Sequence, residues 1–220
     1  MSRPPWNWSR VFRLAVMAPS LAALVGFAGT AGADGSAATA AAASPSTTGP
    51  VVEARMRSAS AHYRAGRLTD AIRDLTTAAA LEPRNSRVRF MLGNAMFRGQ
   101  RHREAANAYR AALALEPDQP DAQLNLGFVL HRRGDTQGAL AAWRQAVELS
   151  RRDPMARAAL ALGEHAAGNA DAALFHLSIA IYLEAETERR AYYEQDFRWK
   201  KEDVAAIEAM AQKLTAPSSN

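Results

Sequence analysis

Three pairs of a ring followed by a guanidinium recur at a spacing of 34 residues: Tyr63-Arg64, Phe97-Arg98 and His131-Arg132. A ring offers a face for stacking, and a guanidinium beside it pairs bidentately with a carboxylate. A ladder of this kind therefore suits a partner carrying acidic and apolar side chains. The same pairs also fit a plainer use, with the rings partly in the core and the arginine heads solvated above them. Other reactive groups are sparse. His131 and His165 also stand one period apart, but no acidic or cysteine side chain shares their register, which leaves a metal short of ligands. There is no Gly-x-Ser-x-Gly setting and no phosphate-binding glycine motif. Carboxylates at helical spacing single out no acid and base pair. The expectation is a protein with no catalytic residues, no metal site and no cofactor.

The elements that position these pairs are set by a repeat. The stretch from Ser86 to Gln119 returns one period later, with Leu92-Gly93 as Leu126-Gly127, Ala105 as Ala139, Tyr109 as Trp143, and Ala112 as Ala146. One period back stand Ala59, Ala71, Leu75 and Ala78; one period forward stand Ala161, Ala173, Leu177 and Ala180. Four copies thus run over 52–85, 86–119, 120–153 and 154–187, and a period of this length is the signature of a solenoid. Each copy holds two helical patterns, A and B, split by a turn. In the second copy, helix A is expected over 86–98 and helix B over 102–116, separated by Gly99 and Gln100. Gly66, Gly134 and Gly168 share one register at the turn, where a left-handed residue ends helix A; Gly99 arrives one residue early. Asn85 and Asp153-Pro154 mark helix starts. Small residues at 59, 93, 127 and 161 let helix B approach helix A, and Leu75, Tyr109, Trp143 and Leu177 fill the space between copies.

The flanks differ. Met1 to Ala33 has a basic start (Arg3, Arg10, Arg13), an apolar run from Leu14 to Phe27 and the small-residue end Ala31-Gly32-Ala33, the three parts of a secretory signal. The apolar run is shorter than the ~20 residues that cross a bilayer comfortably, so removal is expected, with an uncleaved anchor as the alternative. Export to the periplasm follows in the first case and attachment at a membrane face in the second. Residues 34–51 are small and nearly uncharged and read as a flexible linker. Residues 188–214 keep helical composition, with Val204, Ile207, Ala211 and Leu214 on one stripe, and are expected to cap the array. Residues 215–220 are expected to form a disordered tail.

Removing the three arginines before Ala33 from a formal charge of +5 leaves +2, too little to argue for nucleic acid. The sign is unevenly spread, because residues 52–119 hold twelve arginines against seven acids and residues 120–187 hold six against eight. No cysteine is present, which removes disulfides and thiolate chemistry.

In these repeated residues the chain resembles the tetratricopeptide repeat family: Leu-Gly in helix A, then alanine, a large residue and alanine in helix B, then a proline, here Pro83 and Pro117. The early tryptophan of that pattern is replaced by Arg55, Arg89, Gln123 and Arg157. The resemblance implies an all-α, right-handed superhelical solenoid whose A helices line a concave groove that takes peptides. It places Tyr63, Arg64, Phe90, Asn94, Phe97, Arg98, Asn125, Phe128, His131 and Arg132 in that groove. Asn94 and Asn125 match two asparagines that grip a peptide main chain in chaperone-binding members, but the basic residues completing that clamp are replaced by Phe90, Met155 and Ala159. The function expected is a non-enzymatic scaffold for a protein or peptide partner, serving envelope assembly, secretion or maturation of exported proteins. One alternative is a self-associating oligomer, with the groove filled by a neighbour or by the chain's own tail. A less favoured one is an enzyme using the joint at 191–199.

Overall fold

The computed structural model describes residues 48–185, 199 and 201–215; the linker and the joint before Trp199 lie largely outside them, as do the signal segment and the last five residues. Alanine-rich apolar stripes at helical spacing drive pairwise packing here, and the described residues form helices without strands. Helices A are α1 (Gly49–Arg64), α3 (Ser86–Arg98), α5 (Pro120–Arg132) and α7 (Pro154–Ala166). Helices B are α2 (Leu68–Leu81), α4 (His102–Leu115), α6 (Thr136–Leu149) and α8 (Ala170–Ala185). A last helix, α9 (Lys201–Thr215), follows Trp199. Each helix packs on its sequence neighbour through α8, and α9 returns to pack on α7 and α8. Helix α1 starts three residues earlier than the repeat pattern suggests, because Pro50 in its first turn is already set for helical φ.

Helix ends follow local chemistry. Asn85, Asp135 and Asp153 each accept a backbone N–H of the following helix through the side chain, at 3.0, 2.9 and 2.8 Å, which satisfies one of the unpaired first-turn donors. Gly66, Gly134 and Gly168 hold positive φ at the A-to-B turns. In the second copy the same register falls on Gln100, which takes φ 61°, while Gly99 stays at −78°. The tertiary spacing of the turn overrides the early glycine, and a side chain is forced into a conformation costing roughly 1–2 kcal/mol. Gln100→Gly is therefore expected to raise stability by about 1 kcal/mol, read as a shifted denaturant midpoint with unchanged slope.

The interior alternates small and large. Gly93 lies on the Tyr109 ring, and a Cβ built there would come within 2.6 Å of it; at Gly127 the same Cβ would collide with the Trp143 indole. Tyr109 and Trp143 are fully buried. Ala59 with Leu75, and Ala161 with Leu177, are buried at the matching positions of the first and fourth copies. In the first and fourth copies the arginine standing where the resembled pattern has tryptophan joins helices A and B by polar contacts. Arg55 and Ser58 both donate to the buried Asp74 carboxylate, at 2.9 and 2.6 Å, and Arg157 meets His176 at 3.3 Å. The Ser58 hydrogen bond, with Arg55 behind it, holds Asp74 below the usual carboxylate range.

Alternate A helices touch, α3 on α5 and α5 on α7, more extensively than any two B helices do among the described residues. That asymmetry curves the array with the A helices inside.

Candidate functional site

The inner face changes character along the array. In the first two copies it is open. Arg64 and Arg98 are exposed, and Tyr63, Phe90 and Asn94 are half-buried. The Arg98 guanidinium lies 4.7 Å from the Tyr63 ring centroid and donates to the Tyr63 carbonyl at 2.8 Å, joining the first rung of the ladder to the second. Arg64 donates to the Ser60 carbonyl at 3.3 Å. The second ring is placed differently from the groove expectation. Phe97 is 4% exposed and meets His102 edge-on at 5.7 Å, because its register points it between helices A and B.

The two asparagines also turn inward. Asn94 Oδ1 accepts from Tyr109 Oη at 2.7 Å and from Asn125 Nδ2 at 2.9 Å, so one carbonyl ties helix B of its own copy to helix A of the next. Asn125 is buried, which removes it from the set of groove residues able to reach a peptide. Asn94 remains at the surface with its carbonyl already used by two donors.

In the third and fourth copies the inner face is covered by the chain itself. Phe128, expected in the open groove, is fully buried. It lies between two indoles, Trp143 beneath it at 5.4 Å and Trp199 above it at 5.1 Å, both edge-on, an arrangement favoured by the ring quadrupoles. Trp199 Nε1 also reaches Met155 Sδ on α7 at 3.3 Å. One turn beyond Phe128, His131 Nε2 meets the Asp203 carboxylate at 3.0 Å, and Asp203 is only 5% exposed. Burial pushes the Arg132 guanidinium below the usual arginine range, while the carboxylates of Asp203 and Glu202 oppose that shift. The third rung of the ladder thus holds the Asp203 carboxylate of α9, with Glu202 within electrostatic reach.

Two further features lie off this face. Glu164 is buried; its desolvation is outweighed by hydrogen bonds from Asn169 at 2.7 Å and Arg144 at 2.8 Å, which keep it below the usual range. His176 is pushed below the usual histidine range by burial and by Arg157. Among the described residues no group of three histidine, aspartate or glutamate side chains is placed to hold a metal. His165 is exposed at the end of α7, and His131 is committed to Asp203.

Trp199 and Asp203 were not singled out as groove residues by the repeat pattern, since both lie beyond the last copy. A signal was present: Phe128, Met155 and Leu162 make the inward register of the later copies apolar, and Trp199-Lys200-Lys201-Glu202-Asp203 is a downstream stretch with a matching ring and acids.

Comparison with known proteins agrees with this architecture. The tetratricopeptide repeat profile matches residues 29–86 and 56–106, and a second profile described as TPR repeat matches residues 93–134. Among solved structures, a crystal structure of MamA protein is 25% identical over 66% of this chain and 78% of its own, with a TM-score of 0.57. The Arabidopsis OM64 TPR domain is 18% identical over 53% of this chain and 96% of its own, with a TM-score of 0.52. A Thermobaculum terrenum O-GlcNAc transferase is 23% identical over 62% of this chain but only 27% of its own, with a TM-score of 0.57. No curated protein matches by sequence. Repeats in register, the A-inside stacking of paired helices and these profile matches together place the chain in the tetratricopeptide repeat family.

Proposed function

We propose that this chain is a protein-interaction scaffold, carried across a membrane by its N-terminal segment, that holds a partner with acidic and apolar side chains along its A helices. The observation that carries the reading is the third rung, where the ring-and-arginine position meets the Asp203 carboxylate of α9 and the neighbouring apolar position meets Trp199. Arg64 and Arg98 repeat that rung in the open copies. The arginine excess of residues 52–119 adds long-range attraction for an acidic partner. The composition of residues 1–33 supports delivery across the membrane, and failure of Met1 to Gly35 to export a fused reporter would withdraw that part alone.

Photocrosslinking in cells from position 90, followed by binding measurements with the captured protein, tests the groove. Arg64→Glu with Arg98→Glu is expected to weaken that binding about 10-fold or more and to reduce its salt dependence. Unchanged affinity and salt dependence would reject the reading.

Self-association has one observation in its favour. On the outward side of helix B, Arg73, Asn107 and Ala141 are followed in the fourth copy by Phe175, and Ala80, Ala114 and Glu148 by Tyr182; these two aromatics are 60% and 63% exposed. Light scattering that finds a monomer at all concentrations would dismiss it.

A further inference from the structure

The C-terminal helix does more than close the end of the array. A cap that only covers the last apolar stripe needs contacts with α7 and α8, and α9 makes these through Val204, Ile207, Met210 and Ala211, all buried. Trp199 and Asp203 go further. They reach back to α5, one copy earlier, and they do so on the inner face. They meet it at Phe128, His131 and Arg132, the last two being the third occurrence of the ring-and-guanidinium pair. Placing a carboxylate against His131 and Arg132 where it is 5% exposed contributes little to a simple cap, because ion desolvation offsets most of the Coulomb attraction. The arrangement has the form of a ligand in its seat: an aromatic anchor against the Phe128 ring, a sulfur accepting its indole N–H, and one turn on a carboxylate hydrogen-bonded to His131 beside Arg132.

We infer that the inner face of copies three and four is a binding seat for a partner segment with an aromatic ring followed three and four residues later by acidic side chains. Trp199 and Asp203 occupy this seat in the free chain, with the exposed Glu202 within electrostatic reach of Arg132. The occupant supplied by the partner is a protein segment of the same chemistry as the internal one: the seat presents Arg132 and His131 beside Phe128 and Met155, and Asp203 and Trp199 of this chain meet it. Covering the seat from within lowers the apparent affinity for a competing segment by the fraction of time the seat is open. The inference rests on the A-helix face being the partner surface, but it concerns a different part of that face from Arg64 and Arg98.

The test uses the full chain and a fluorescent peptide with the sequence of residues 196–215. Trp199→Ala with Asp203→Asn should open the seat without touching its walls, and the peptide should bind this variant at least about 10-fold more tightly than it binds the unaltered chain. Adding Arg132→Ala should abolish the gain, and so should a peptide in which Glu202→Gln and Asp203→Asn replace the two acids that follow Trp199. Equal affinity for the unaltered and opened chains would overturn the proposal. So would binding indifferent to the acids, which would make α9 an apolar cap. If the unaltered chain sediments as a dimer that Trp199→Ala dissociates, the seat belongs to a second copy and the separate-partner proposal falls. Circular dichroism of the opened variant checks that the repeats keep their helix content; loss of the repeats' helix content on opening would make the segment part of the fold and likewise overturn the proposal. Because Arg64 and Arg98 are untouched, the proposal can fail while their charge reversal still weakens partner binding.

Discussion

Trp143→Ala is expected to destabilise the protein by about 3–5 kcal/mol, which for a domain of ordinary stability removes much of its margin. The indole is fully buried and donates to the Leu124 carbonyl at 3.1 Å. It lies under Gly127 on α5, and a Cβ at Gly163 on α7 would come within 2.9 Å of it. Its ring also supports Phe128, which supports Trp199. Removing it therefore opens a cavity shared by α5, α6 and α7 and takes away the floor of the stack that holds the C-terminal segment. Because each copy buries its apolar face only against its neighbours, the loss should propagate to both sides instead of staying local. Denaturant unfolding measures the total. The fluorescence of Trp199, the remaining tryptophan within the described residues, should shift toward that of an indole in water well before global unfolding. A loss below about 1 kcal/mol, with Trp199 emission unchanged, would mean that the stack is not a structural unit.

What the sequence made legible is the part of the fold governed by short-range repetition. Leu-Gly against a ring, and alanine against alanine one period later, identify the helix pair, its partner helix and its period, because close helix approach needs small residues at fixed phase. The Asp153-Pro154 helix start needs no tertiary information, and the structure bears it out. Gln100 was hidden for the opposite reason. The local signal, a glycine, sits one residue away from where the packing of α3 and α4 requires positive φ.

The inner face was legible only where none of the described residues covers it. Arg64 and Arg98 are exposed as the register implies, but the same register places Phe128 and Asn125 in the interior, because the segment that buries Phe128 arrives from about 70 positions downstream and Asn125 is used by Asn94. A repeat pattern reports what each copy offers its neighbours. It carries no record of a segment outside the array that returns to it, and a ring facing inward reads the same whether solvent or Trp199 lies above it.

Gly127→Ala is expected to cost about 1–3 kcal/mol, and a change at position 143 should recover part of it. The chain itself contains the comparison. Where helix A carries glycine, at 93 and 127, helix B carries Tyr109 and Trp143; where helix A carries Ala59 and Ala161, helix B carries Leu75 and Leu177. The added methyl group at 127 has no room against the rigid indole, whose edge lies closer than a Cβ can approach. A leucine at 143 would vacate that edge, reproducing the packing of the first and fourth copies. Gly127→Ala combined with Trp143→Leu should therefore be less destabilised than the sum of the single changes, by about 1–3 kcal/mol of coupling. Gly134→Ala is the contrasting control, since no atom lies within 4 Å of its Cβ position and its φ of 78° is the whole obstacle. It should cost about 1–2 kcal/mol, and Trp143→Leu should not rescue it. If Gly127→Ala and Trp143→Leu prove additive, alanine and leucine in the outer copies reflect composition, and the small-against-large complementarity that spaces the helix pairs is not what sets their separation.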